Sequence, residues 1–377
     1  MKLIYCIASV YNPGGMERVL LNKLRWFVQR GGWDLSVVTT DQQGRPPFYA
    51  FPPEVRMIDL GIHYSADNGR SPLAKIFSYF RKRCLHRRRL TELLQREKAD
   101  VVVSLYPSES SFIPKIKDGS KKVLELHYCK LFRLQYGRRG LLGWADRFRT
   151  WQDERIVRRF DSFVVLTQQD AELWGALPNL TVIPNAALAF PQVKHQKGTR
   201  RVIAVGRLDY QKGFDRLIDA WSLLPEQLRR SWRLDIYGQG EWRETLQAQS
   251  DRLGIGDSVR INAPTQEIGS EYAASDFLVM SSHYEGFPMV MIEAMACGLP
   301  VVSFDFLCGP RDIIRPGKNG LIVPEGDVVA LADAMRGLME DPEELARMST
   351  AASEVSRTYS ETVIMQQWEQ LFNAITR

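Results

Sequence analysis

The sequence predicts an α/β protein built as two doubly wound domains, each around a mainly parallel sheet. Three observations carry that prediction. The chain has 377 residues, more than an ordinary single domain needs. Short apolar segments alternate with segments of helical apolar spacing from the start. The alternation stops once, across residues 186–199, and then begins again.

Taken in order, residues 3–10 form an apolar strand, Asn12-Pro13-Gly14-Gly15 turns, and residues 16–29 carry helical spacing at Val19, Leu20, Leu24 and Phe27. Strands follow at 35–40, 101–104, 122–126 and 162–166. Residues 186–199, with Pro191 and several polar side chains, read as a linker. The second round has strands at 201–206, 233–237, 259–262, 277–280 and 301–304. Helices are expected at 214–224 and 241–253. A further helix opens with Pro288 in its first turn and stops at Gly298-Leu299-Pro300. A final helix, 362–375, gathers Ile364, Trp368, Leu371 and Phe372 on one face.

Composition narrows the function classes. Hydrophobic content of 45% and charged content of 25% are those of an ordinary globular protein. No apolar run approaches the roughly 18 residues of a membrane span, and the apolar start is too short for a signal peptide. Five scattered cysteines without a Cys-x-x-Cys pair suggest neither a disulfide framework nor a zinc site, and a cytoplasmic setting is expected. Residues 1–190 carry a net charge of +12 and the remainder −6, so one half is expected to meet something anionic.

The most informative stretch is Glu285-Gly286-Phe287-Pro288-Met289, followed by Glu293, between two apolar strands. Ligands of open parallel sheets bind at the carboxyl ends of the strands, and a helix start there offers N–H groups to an anion. Carboxylates at 285 and 293 could hold hydroxyls on either side of such an anion, which suits a sugar–diphosphate–nucleoside. Arg207 and Lys212 lie in a second strand-to-helix loop and offer a planar fork and a point charge to a departing diphosphate. No Asp-x-Asp motif occupies a suitable loop, so no metal and no other cofactor is expected.

Glu-Gly-Phe-Pro with Glu eight residues after the first, then Ala-Met-Ala-Cys-Gly-Leu-Pro-Val-Val, resembles the signature of the family 4 retaining glycosyltransferases. The resemblance implies a GT-B fold: two Rossmann-like domains facing each other across a cleft. Residues 1–187 with the returning helix 362–377 would form the acceptor-side domain, and 188–361 the donor domain. It implies that Glu285 holds a donor-sugar hydroxyl, that Gly286, Phe287, Pro288 and Met289 face sugar and phosphate, and that Glu293 holds the ribose diol. Arg207 and Lys212 match the diphosphate loop, Gly14 and Gly15 a glycine turn near phosphate or acceptor, and Gly238 and Gly240 a loop near the nucleotide. His127 would contact the transferred sugar, although His127-Tyr128 stands where the family often has His-Asp.

The implied activity is transfer of a hexose (Gal, GalNAc, Glc or GlcNAc) from a UDP-sugar, ahead of a GDP-sugar, to a glycan or polyprenyl-diphosphate-linked acceptor in bacterial surface-polysaccharide synthesis. A UDP-sugar epimerase of the same fold and a non-catalytic nucleotide- or glycan-binding protein are the alternatives. Two basic–aromatic mixtures point further. One runs from Lys75 and Ile76 through Phe80 into six cations between Arg81 and Arg89. The other takes in Tyr136, Arg139, Leu141, Trp144, Phe148 and Trp151. They are expected to meet an anionic membrane surface at the inner face of the plasma membrane or a lipid diphosphate, the alternative being a solvated helix face. Nucleic acid is not expected, for lack of any accompanying motif.

Overall fold

The computed structural model describes residues 1–67, 72–105, 109–134, 138, 140–187, 195, 196 and 198–377. Tyr136, Arg139 and residues 188–194 of the expected linker lie outside the described residues, as do the side chains of Lys75, Ile76 and Leu141. The chain divides into two units. One comprises Met1–Leu166, Ala171–Ile183 and Met365–Arg377; the other comprises Thr167–Asp170 and Pro184–Ile364.

The first unit holds a sheet of seven parallel strands in the order β3-β2-β1-β4-β5-β6-β7. These are β1 (Lys2–Ile7), β2 (Asp34–Thr39), β3 (Arg56–Asp59), β4 (Val101–Ser104), β5 (Lys121–Glu125), β6 (Ser162–Val165) and β7 (Leu180–Val182). The second holds six parallel strands in the order β10-β9-β8-β11-β12-β13. They are β8 (Arg201–Val205), β9 (Arg233–Tyr237), β10 (Val259–Asn262), β11 (Phe277–Met280), β12 (Val301–Phe304) and β13 (Gly320–Val323). Both are Rossmann-like. Central strands such as Val101-Val102-Val103 are buried along their whole length, as helix-covered parallel sheets require.

Helices α1 (Gly15–Arg30), α2 (Pro72–Glu97) and α3 (Gly140–Val157) belong to the first unit. So does most of the helix Glu361–Thr376, whose Trp368 and Phe372 are fully buried. Phe372 packs against Phe27 and Trp33, with ring centroids 6.1 and 6.3 Å apart. Among the described residues, no helix is long and apolar enough to cross a membrane.

The structure adjusts several expected boundaries. The helix after β9 begins at Arg243, not 241, because the Trp242 N–H donates to the Leu208 carbonyl at 3.0 Å. Pro288 caps the helix Met289–Ala296 instead of occupying its first turn. The edge strand β3, Arg-Met-Ile-Asp, has no continuous apolar run to announce it. The unit boundaries fall near 183 and 364; Ala187 N–H donates to Tyr359 O at 2.8 Å, tying that end of the chain into the second unit.

Trp368→Ala is expected to lower stability by about 3–5 kcal/mol, as for other buried Trp truncations. Urea unfolding measures it; a loss below about 1 kcal/mol would contradict the packing described.

Candidate functional site

Strand order in the second sheet reverses between β8 and β11, which makes their carboxyl ends a topological switch point. The loop leaving β8 carries Arg207 and Lys212, and the loop leaving β11 carries Glu285. The structure brings these loops into contact. Lys212 Nζ lies 2.6 Å from Glu285 Oε1, and both side chains are largely buried. Ser282 Oγ donates to the same carboxylate at 2.7 Å. Gln211 Nε2 donates to the Tyr284 carbonyl at 3.1 Å and lies 3.4 Å from Glu285 Oε2. Arg207 is two-thirds exposed, 3.1 Å from Asp209 and hydrogen-bonded to Gln211 Oε1.

Two glycines permit this approach. A Cβ on Gly206 would sit 2.9 Å from Cδ and Cε of Lys212, so the lysine stem occupies the space a side chain would take. Gly213 has φ +58°, and a Cβ there would lie 2.3 Å from the Ser281 carbonyl. Gly238 and Gly240 have a packing reason too: a Cβ on either would collide with the carbonyl of Gly206 or Leu208. They hold the loop after β9 against the loop after β8.

The Glu285–Glu293 segment follows the expected order with one correction. The Met289 N–H already donates to the Phe287 carbonyl at 2.9 Å, so it is not free to face a phosphate. Among the described residues, the amides of Gly286 and Phe287 have no partner. The Phe287 and Pro288 side chains are buried, with the Phe287 ring 5.9 Å from that of Tyr359, which leaves only backbone there to meet a ligand. Glu293 is buried, and Tyr272 Oη lies 3.4 Å from its Oε2. Burial, then the Glu293 carboxylate, push the Cys297 thiol up to about 12. Cations and amides dominate around Glu285, a set of donors suited to an anion.

On the first unit, His127 follows β5 and its Nε2 lies 3.0 Å from Glu125 Oε1. Glu125 is fully buried and also pairs with Lys23 of α1, itself 3.8 Å above the Trp368 ring. Burial alone would raise the Glu125 carboxyl; Lys23 and His127 outweigh it and hold it at about 2. Gly14 caps α1, and a Cβ there would fall 2.0 Å from the Glu17 carboxylate, whereas Gly15 is open. Burial raises the Glu17 carboxyl, outweighing the opposing pull of a backbone hydrogen bond and of His127.

Lys23, Glu125, Ser282 and Gln211 were not singled out from the sequence. A signal existed for Lys23: it interrupts the apolar face of α1 between Leu20 and Phe27. Glu125 likewise ends an otherwise apolar strand.

Two family profiles match in tandem: one described as Glycosyl transferase 4-like domain over residues 14–186, the other as Glycosyl transferases group 1 over 187–355. The amylovoran biosynthesis glycosyltransferase AmsD of Erwinia amylovora is 32% identical over 391 residues, covering 99% of each chain. The chain belongs to the GT-B glycosyltransferases. An exopolysaccharide phosphotransferase of Streptomyces coelicolor is 35% identical over 222 residues. That match spans 57% of this glycosyltransferase and only 23% of the relative's length. The solved structure of Anabaena HepE in complex with UDP and glucose shares the fold, with TM-score 0.73 at 18% identity over 99% of this chain and 100% of the other.

Gly206→Ala is expected to displace the Lys212 stem while leaving the fold intact. Loss of transfer activity with a cooperative, near-native melt is the expected result; full activity would show that the lysine has room to spare. Lys23→Met is expected to cost about 3–5 kcal/mol by stranding Glu125, and adding Glu125→Gln to recover more than half of it. Denaturant titration of both variants decides this.

Proposed function

We propose that this glycosyltransferase moves a hexose from a UDP-sugar to a hydroxyl of a glycan or lipid-linked acceptor in bacterial surface-polysaccharide assembly. Anomeric configuration is retained and no metal is required. The observation carrying this reading is the pairing of Lys212 with Glu285 at the β8/β11 switch point, with Arg207 on the same loop as Lys212. The name of AmsD, a relative over its full length, and the UDP and glucose held by HepE support it. The tandem transferase profiles speak against the epimerase alternative.

In this reading the bond from the anomeric carbon to the diphosphate oxygen breaks as negative charge builds on the leaving group. Lys212 and Arg207 stabilise that charge, with the amides of Gly286 and Phe287 beside them. Glu285 orients a sugar hydroxyl and Glu293 the ribose diol. The acceptor oxygen attacks from the face the diphosphate leaves, and its proton passes to the departing phosphate oxygen. On the first unit, the Glu125 carboxylate fixes the ring of His127, the residue that the family resemblance sets against the transferred sugar. The acceptor is reached at the inner membrane surface.

Calorimetric titration with UDP and GDP, without metal and then with EDTA, tests the donor site. Saturable UDP binding that survives EDTA and weakens at least about tenfold in Lys212→Ala is expected, a charged hydrogen bond being worth about 1.5–3 kcal/mol. Folded protein that binds neither nucleotide would sink the proposal.

A further inference from the structure

The first unit carries a second cationic site, distinct from the loops described above. A pocket of about 670 Å³ opens between α2 and α3, and five arginines line it: Arg83, Arg133, Arg149, Arg155 and Arg159. Its one carboxylate, Asp153, is already paired with Arg133. Arg83 donates to Ser111 Oγ at 2.7 Å, and Arg155 lies 3.7 Å over the Trp151 ring. Arg149 and Arg159 are exposed, and no carboxylate of the described residues lies within ion-pair distance of either.

Of the basic stretch Arg81–Arg89, only Arg83 lines this pocket. Lys82 and Arg89 bond carbonyls of their own chain, Arg88 pairs with Glu92 at 2.8 Å, and burial lowers His86 to about 4, leaving it neutral. Much of the Arg81–Arg89 charge is thus engaged on the helix that bears it or beside it. Among the described residues, four of the pocket's five arginines have no carboxylate partner, Arg133 being the exception.

Charge and apolar surface are graded along one direction. On α3, Trp144, Phe148, Trp151 and Arg155 recur every three or four residues and so form one stripe, aromatic at its start and cationic at its end, with Arg159 in the turn just beyond the helix. Trp144 and Phe148 are 74% and 52% exposed. On α2, Phe77 and Phe80 are 76% and 58% exposed and precede Arg83 in the same sense. A solvated surface has no reason to expose such a ridge, and a free nucleotide has no use for it. Guanidinium forks match phosphate oxygens in pairs.

We infer that the arginine pocket between α2 and α3 binds the diphosphate group of a prenyl-type lipid that carries the acceptor, with the aromatic ridge resting in the leaflet. A diphosphate in diester linkage bears two negative charges against the one of a common phospholipid, and it fits four unneutralised arginines better. The inference rests on the acceptor reading above for its place in the reaction, but its binding step is independent of the donor site.

The test is sedimentation of the full chain with phosphatidylcholine vesicles doped with farnesyl diphosphate, or with phosphatidylglycerol at matched charge. Retention at least tenfold stronger on the diphosphate vesicles, and release by inorganic diphosphate, are expected. The double substitution Arg149→Ala/Arg159→Ala should weaken that retention at least tenfold while UDP binding stays unchanged. Trp144→Ser/Phe148→Ser should weaken vesicle retention but not binding of inorganic diphosphate. Equal retention on both vesicle types, or no effect of the arginine substitutions, overturns the site. So does preferential retention of an oligonucleotide that is lost in the arginine variant. Failure of UDP binding in the unsubstituted chain would instead count against the donor reading and leave this result standing.

Discussion

Lys212 and Glu285 meet across the gap between β8 and β11, and the rest of the second unit's carboxyl edge is arranged to let them. Gly206 yields the space for the lysine stem, Gly213 turns the chain at positive φ, and Ser282 donates to the same carboxylate oxygen. A buried ion pair is costly unless its remaining hydrogen bonds are made. Gln211 and Ser282 make them, so a charged pair is kept where an apolar contact would be cheaper. The Gly238 and Gly240 backbone, pressed against the loop after β8, stops that loop from relaxing away.

The first unit repeats the device with other parts. Lys23 comes from the helix after β1, Glu125 from the end of β5, and the pair is capped by an indole from the helix that follows the second unit. In both units a lysine on the amino-terminal side of the sheet order reaches a glutamate that arrives later in the chain. The difference is access. Lys212 lies on a loop beside amides without partners, whereas Lys23 is enclosed, and His127 is held against the carboxylate that Lys23 pairs with.

Much of this was legible in the sequence, for physical reasons. Strands β4, β11 and β12 match their expected spans because their apolar segments end abruptly in polar or turn residues, and β9 and β10 because apolar side chains alternate with Arg, Asp and Asn. The Glu285–Glu293 segment and the Arg207–Lys212 loop were legible as motifs. What escaped were relations between distant residues. Nothing in the run Gly-Met-Glu-Arg-Val-Leu-Leu-Asn-Lys tells a reader that its lysine meets a carboxylate 102 positions on. The amide of Met289, occupied by Phe287, could not be known without the turn's geometry. Edge strands such as β3 and β7 stayed hidden because half-exposed strands need no apolar run. The basic stretches were visible, but which arginines remain uncompensated is a matter of tertiary neighbours.

The interleaving of the two units has a consequence for how the protein is made. Residues 365–377 complete the first unit's core, yet the ribosome delivers them only after the whole second unit. During synthesis, Lys23 must wait without its indole, and Phe27 without Phe372, while some 180 residues of another domain emerge. The first domain to start is therefore the last to be sealed. An exposed patch around Phe27 and Trp33 on the nascent chain is what a chaperone would meet during that interval.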